Sequence, residues 1–178
     1  MKIFDEQFRL IMCMTLVIGA GISDVRASTG GEYEAERTVQ LPEFQLEVLD
    51  QSFKVTRGSL EGRFYMLYFW GTECRQCADD IQNLYNVYDA IGQDNFEILS
   101  ISVDKDEEMV REYQQVFPMP WYHSVIGEDP QMLASISEKF EVENWPYAIL
   151  ITPEGEVINT FESIDEAKLE SEIRSAMN

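Results

Sequence analysis

The stretch Phe64-Tyr65-Met66-Leu67-Tyr68-Phe69-Trp70 sets seven apolar or aromatic residues in succession. A strand wetted on one face alternates between apolar and polar positions. A run with no polar position fits a strand covered on both faces. This segment therefore asks for layers above and below a sheet. The chain has the material for them, with 45% hydrophobic and 12% aromatic residues. The run stops at Gly71 and passes into Thr-Glu-Cys-Arg-Gln-Cys, after which Ile81, Leu84, Tyr85 and Tyr88 recur at helical spacing up to about Ile91.

The pair Cys74 and Cys77 admits three readings: half of a metal site, a structural crosslink, or a redox centre. A structural zinc site wants four ligands, and outside the apolar N-terminal segment that holds Cys13 the chain offers this pair and His123, so carboxylates would have to complete the set. A crosslink stabilises mainly by closing long loops, so a bridge over so short a loop gains little. Redox chemistry suits the position. A cysteine at a helix start meets unpaired N–H groups and the positive end of the helix dipole, both of which favour thiolate over thiol. Cys74, at the turn, is expected to be the exposed attacker. Cys77, one turn inside, is expected to be the shielded resolving thiol, close enough to Cys74 to bridge. At about 100° per residue, Asp80 falls within about 60° of Cys77 on the helix surface, whereas Asp79 points nearly opposite. Asp80 is then either a proton acceptor for Cys77 or an early-helix acid that complements the dipole.

Around this unit, Phe44–Asp50 and Ser52–Gly58 alternate as two arms of a hairpin. Phe96–Asp104 reads as a second core strand, Glu107–Phe117 as a helix stopped by Pro118 and Pro120, and Trp121–Ile126 as a short strand. A helix over Gln131–Phe140, a strand over Tyr147–Thr152, a turn at Pro153-Glu154-Gly155, a returning strand and a helix over Asp165–Met177 complete the order. Strands alternating with helices, closed by an antiparallel pair and a helix, imply an α/β domain. Its central mixed sheet would be flanked by helices on both faces and extended by the N-terminal hairpin. His123, the lone histidine, fits a surface or partly buried hydrogen-bonding residue better than a catalytic one.

The 178 residues carry a formal charge of −20 from 13 Lys and Arg against 33 Asp and Glu. That balance excludes nucleic acid as a partner, since phosphate binding needs clustered cations. The N-terminus differs from the rest. Leu10–Ile22 is uncharged and shorter than the roughly 20 residues a comfortable membrane span needs, but it fits the apolar core of a signal peptide. Residues 1–27 are expected to direct export, cleaved after Val25-Arg26-Ala27 or retained as an anchor. Cys13, behind bulky Met12, is not a lipidation site. Residues 28–41 are expected to form a flexible leader and 42–178 the domain.

These segments resemble the thioredoxin-like superfamily, and within it the exported TlpA/ResA-type thiol–disulfide oxidoreductases. The resemblance rests on Phe64–Cys77, on Phe96–Asp104 and on Val142–Ile158, in that order. It implies a Cys74–Cys77 disulfide as the redox group with no further cofactor or metal, and Pro146 as a cis-proline beside it. The Trp145 backbone would pair with an extended substrate, unless Trp145-Pro146 is only a loop-to-strand junction. Trp70 is expected to line the site. Glu73, Arg75 and Gln76 depart from the family's usual residues and are expected to set potential and partner choice. Arg75 favours the Cys74 thiolate and Glu73 opposes it. Thioredoxin's buried aspartate is replaced by Tyr68, which leaves Asp80 as the base. Thr72 lies too close to Cys74 for a peroxidase arrangement. The implied protein is a monomeric periplasmic or otherwise extracytoplasmic enzyme. It would exchange disulfides with protein partners, as a reductase recharged by a membrane thiol relay, in a setting such as cytochrome c maturation. The alternative is a copper-binding or partner-docking module of the same fold without turnover.

Overall fold

The computed structural model describes residues 40–127 and 129–178. The expected signal segment, and the leader up to its last two residues, lie outside the described residues. Those two are already tied down: Gln40 bridges Glu156, and Leu41, whose N–H donates to the Gly155 carbonyl, is buried.

The elements run β1 (Gln45–Glu47), β2 (Lys54–Thr56), α1 (Arg57–Leu60), β3 (Phe64–Trp70), α2 (Arg75–Ile91), β4 (Phe96–Ser102), α3 (Glu107–Val116), β5 (Tyr122–Val125), α4 (Pro130–Phe140), β6 (Tyr147–Ile151), β7 (Val157–Phe161) and α5 (Glu166–Ala176). The five-stranded sheet has the order β5-β4-β3-β6-β7. β3 lies at its centre, parallel to β4 and antiparallel to β6, so the sheet is mixed as expected. β1 and β2 form the separate antiparallel hairpin. Its second arm is shorter than expected. Thr56 and Ser59 cap each other's backbone in a capping box, and the chain turns into α1 where strand alternation was expected to continue.

Alternate residues of β3 face opposite cores. Met66, Tyr68 and Trp70 pack with Ile81, Leu84 and Val87 of α2, Val110 of α3 and Leu169 of α5. Tyr65, Leu67 and Phe69 pack with Leu46 and Val55 of the hairpin and with Ile136 and Phe140 of α4. Every residue of β3 is buried, which answers the uninterrupted apolar run. Burying each such large side chain contributes about 1.5–3 kcal/mol.

His123 is buried within the first core, opposite Ser100 in the β4–β5 register. Its Nε2 lies 2.9 Å from the Met119 carbonyl oxygen, which can only accept. The neutral ring therefore carries its proton on Nε2, and Nδ1 accepts from the Ser100 hydroxyl. Burial lowers its pKa from 6.5 to about 4. A basic group with a depressed folded-state pKa gives stability that is whole above the unfolded value and lost as pH falls through the folded one. The wild type is expected to lose roughly 2–3 kcal/mol relative to His123→Gln over that interval, read from urea unfolding at a series of pH values. Parallel pH profiles for the two proteins would refute it.

Candidate active site

Three loops meet at one end of β3, and the register explains why. β6 is antiparallel to β3 with Tyr147 opposite Phe69, so Trp145 and Pro146 arrive beside the end of β3. β4 is parallel with Ser102 opposite Trp70, so Val103 and Asp104 leave the sheet next to Gly71 and Thr72. α2 begins directly after the turn. The Trp145–Pro146 bond is cis, and proline brings no N–H to the site.

Cys74 caps α2. Its Sγ accepts the Cys77 N–H at 3.1 Å, one of the donors that a helix start leaves without an internal partner. The two cysteines form a disulfide, with S–S 2.09 Å and Cα–Cα 5.3 Å. Cys74 is half-buried and lines a cleft of about 770 Å³, whereas Cys77 is fully buried. The asymmetry expected of an attacker and a resolver is present.

Helical rotation separates the two aspartates as expected. Asp79 is exposed and Asp80 fully buried. Three elements hold the Asp80 carboxylate. The Ile164 N–H donates to Oδ1 at 3.0 Å, the Gln76 amide donates to Oδ1 at 3.1 Å, and the Tyr68 hydroxyl donates to Oδ2 at 3.5 Å. Burial raises the Asp80 pKa, and these three donors offset part of the rise. Burial and the adjacent Asp80 charge push the Tyr68 pKa far above its ordinary value, so Tyr68 stays a donor. The buried aspartate that the strand lacks is thus supplied from the helix and answered by a strand tyrosine.

Glu73, Arg75, Gln76, Trp145 and Pro146 all line the cleft with Cys74. Trp70 does not. It is fully buried, with its ring 5.1 Å from Tyr113 of α3, so the expectation that it lines the site is corrected. The cause is α3, which lays Tyr113 over the end of β3.

Asp104 was not singled out by sequence reasoning. It accepts from the Thr72 N–H and from the hydroxyls of Thr72, at 2.8 Å, and Ser102, at 2.7 Å, and so ties the active-site turn to the neighbouring strand. Gly127 was also missed. A Cβ there would lie 2.0 Å from the Val103 carbonyl oxygen and 2.3 Å from that of Asp104. Lys105 and Met109 complete the cleft from the α3 side.

A strand–turn–Cys-x-x-Cys–helix unit facing a cis-proline across a mixed sheet defines a class, and comparison with known proteins agrees. The family model described as Thioredoxin-like matches residues 62–157, and the chain belongs to that family. Among its relatives is the thiol-disulfide oxidoreductase ResA of Oceanobacillus iheyensis, 31% identical over 124 residues, covering 65% of this chain and 59% of that one. Human nucleoredoxin is 32% identical over 103 residues, covering 56% of this chain and 23% of that protein. The chain thus spans less than two thirds of the length of either relative. Among solved structures, the thioredoxin domain of a thiol-disulfide oxidoreductase from Bacteroides vulgatus superposes with a TM-score of 0.69 at 20% identity, covering 79% of this chain and 97% of that one. At that identity the likeness speaks for the fold.

Proposed function

We propose that the chain is an exported thiol–disulfide oxidoreductase that reduces disulfides in protein partners. The observation that carries this reading is the asymmetry of the pair. Cys74 sits at the helix cap, reachable from the cleft, and Cys77 is buried one turn behind it. In the reduced protein the Cys74 thiolate attacks one sulfur of a partner disulfide. The partner's S–S bond breaks, a Cys74–partner bond forms, and the second partner sulfur leaves as thiolate and takes a proton. Cys77 loses its proton to Asp80 and attacks Cys74 Sγ. The partner's remaining sulfur is released, and the Cys74–Cys77 bridge closes. Two electrons pass from the dithiol to the partner. An external dithiol, supplied by a membrane relay, takes the bridge back to thiols by the same exchange. The extended partner segment lies along Trp145 and pairs with the backbone beside Pro146.

Trapping tests the reading. Cys77→Ala is expected to accumulate mixed disulfides with exported proteins, visible as reductant-sensitive high-mass bands, and Cys74→Ala is expected to give none. A redox titration of the pair is expected to give a potential at the reducing end of the thioredoxin-like range. No trapped partner with Cys77→Ala, together with submicromolar copper binding by the reduced pair, would overturn the enzyme in favour of a copper-docking module.

A further inference from the structure

We propose that the cysteine cleft selects partner segments carrying a carboxylate and an apolar side chain next to the target cysteine. This rests on the exchange reading above and adds the chemistry of the substrate.

The chain has 33 acidic residues against 13 Lys and Arg, so a cation has many partners to choose from. Among the described residues, every other Lys or Arg side chain is held by a carboxylate or, for Lys139, by the Glu43 carbonyl. Arg75 and Lys105 alone make no ion pair or hydrogen bond with a described residue, and both line the cleft at Cys74. Two acids share that cleft. The Asp104 oxygens are occupied by Thr72 and Ser102, and Glu73 lies on the exposed rim. The walls carry apolar surface open to solvent, with Met109 42% and Trp145 45% exposed.

Across Trp145 and Pro146, an adjoining cleft is lined by Glu141, Glu143 and Glu162. A carboxylate on the partner can pair with Arg75 or Lys105 on one side of Trp145-Pro146 and meets only carboxylates among the charged lining on the other, which favours one direction for the segment. A chain of net charge −20 repels acidic segments elsewhere, so these two cations, unpaired among the described residues, act as a local guide to the sulfur. Had they served only the Cys74 thiolate, they would speed all substrates alike.

The test uses the full reduced chain and three peptides of equal length, each with one cysteine blocked as a 2-thiopyridyl disulfide and flanked by Asp-Leu, Asn-Leu or Lys-Leu. At low salt the aspartate peptide is expected to react about tenfold faster than the lysine peptide. That ratio is expected to fall to near one in the double variant Arg75→Gln with Lys105→Gln, and to survive in Arg75→Lys with Lys105→Arg. Replacing the peptide leucine by serine is expected to slow the wild type and not Met109→Ser. Equal rates for the three peptides, or one common slowing of all three in the glutamine variant, would overturn the proposal. Binding of fluorescent peptides to Cys74→Ser separates the two readings. Discrimination in binding without turnover sinks the exchange chemistry and keeps the recognition, whereas turnover without discrimination does the reverse.

Discussion

Asp80→Asn is expected to lengthen the life of the mixed disulfide by about 10²–10⁴-fold, the range that a positioned proton acceptor contributes. The carboxylate is fully buried on the Cys77 side of α2, and burial raises its pKa. An acid tuned upward is a better base once ionised, and Cys77, three residues earlier on the same helix, is itself buried. In the wild type the resolving step should accelerate with pH through the raised Asp80 value, because only the carboxylate accepts a proton. In the variant that limb should be absent, and the remaining rise should follow ionisation of the thiol.

Stability moves the other way. A carboxylic acid whose folded pKa is raised gives stability that is whole below its unfolded value, 3.8, and is lost as pH rises through the folded value. Above that window the wild type carries the cost of a buried charge, and the variant should unfold at higher denaturant than the wild type. Rapid-quench measurement of mixed-disulfide decay, paired with urea unfolding, reads both effects. Equal lifetimes in the two proteins would falsify Asp80 as the acceptor.

Gly127→Ala is expected to cost about 3 kcal/mol or more and to disable the cleft together with the fold around it. The added carbon would meet the carbonyl oxygens of Val103 and Asp104, and backbone cannot rotate aside as a long side chain can. The segment leaving β4 has to move, and with it Asp104, whose bonds fix Thr72 two residues before Cys74. Thermal unfolding should show the loss of stability. Alkylation of reduced Cys74 should slow at neutral pH, since the turn that seats the sulfur on the helix start has shifted and only the thiolate reacts. Wild-type melting in the variant would show that the β4 exit gives way more easily than its carbonyls suggest.

What the sequence disclosed was what local periodicity encodes. The apolar run at Phe64–Trp70 named the central strand, and the burial of β3 on both sides agrees. Counting around the helix distinguished Asp80 from Asp79, because angular position depends only on the residue interval. The relations that were missed join segments far apart in the chain. The Asp104 bonds to Thr72 span 32 residues, and the need for glycine at position 127 arises from backbone two elements away. Nothing near Gly127 distinguishes it from an ordinary loop glycine. Trp70 was misplaced because an aromatic residue beside a catalytic turn reads the same whether or not a later helix covers it. α1 was hidden because Thr56 serves both as a strand residue and as a cap.

The three groups holding Asp80 come from β3, from the residue before Cys77, and from Ile164 between β7 and α5, 84 positions further on. The family match ends at residue 157, before that last donor is reached. The smallest stretch that carries the family signature is therefore shorter than the smallest stretch that carries the redox centre. A fragment trimmed to the signature would keep both sulfurs and lose one of the three donors to Asp80, the proposed acceptor of the Cys77 proton. For anyone grafting this centre into another scaffold, the turn before α5 belongs with the cysteines.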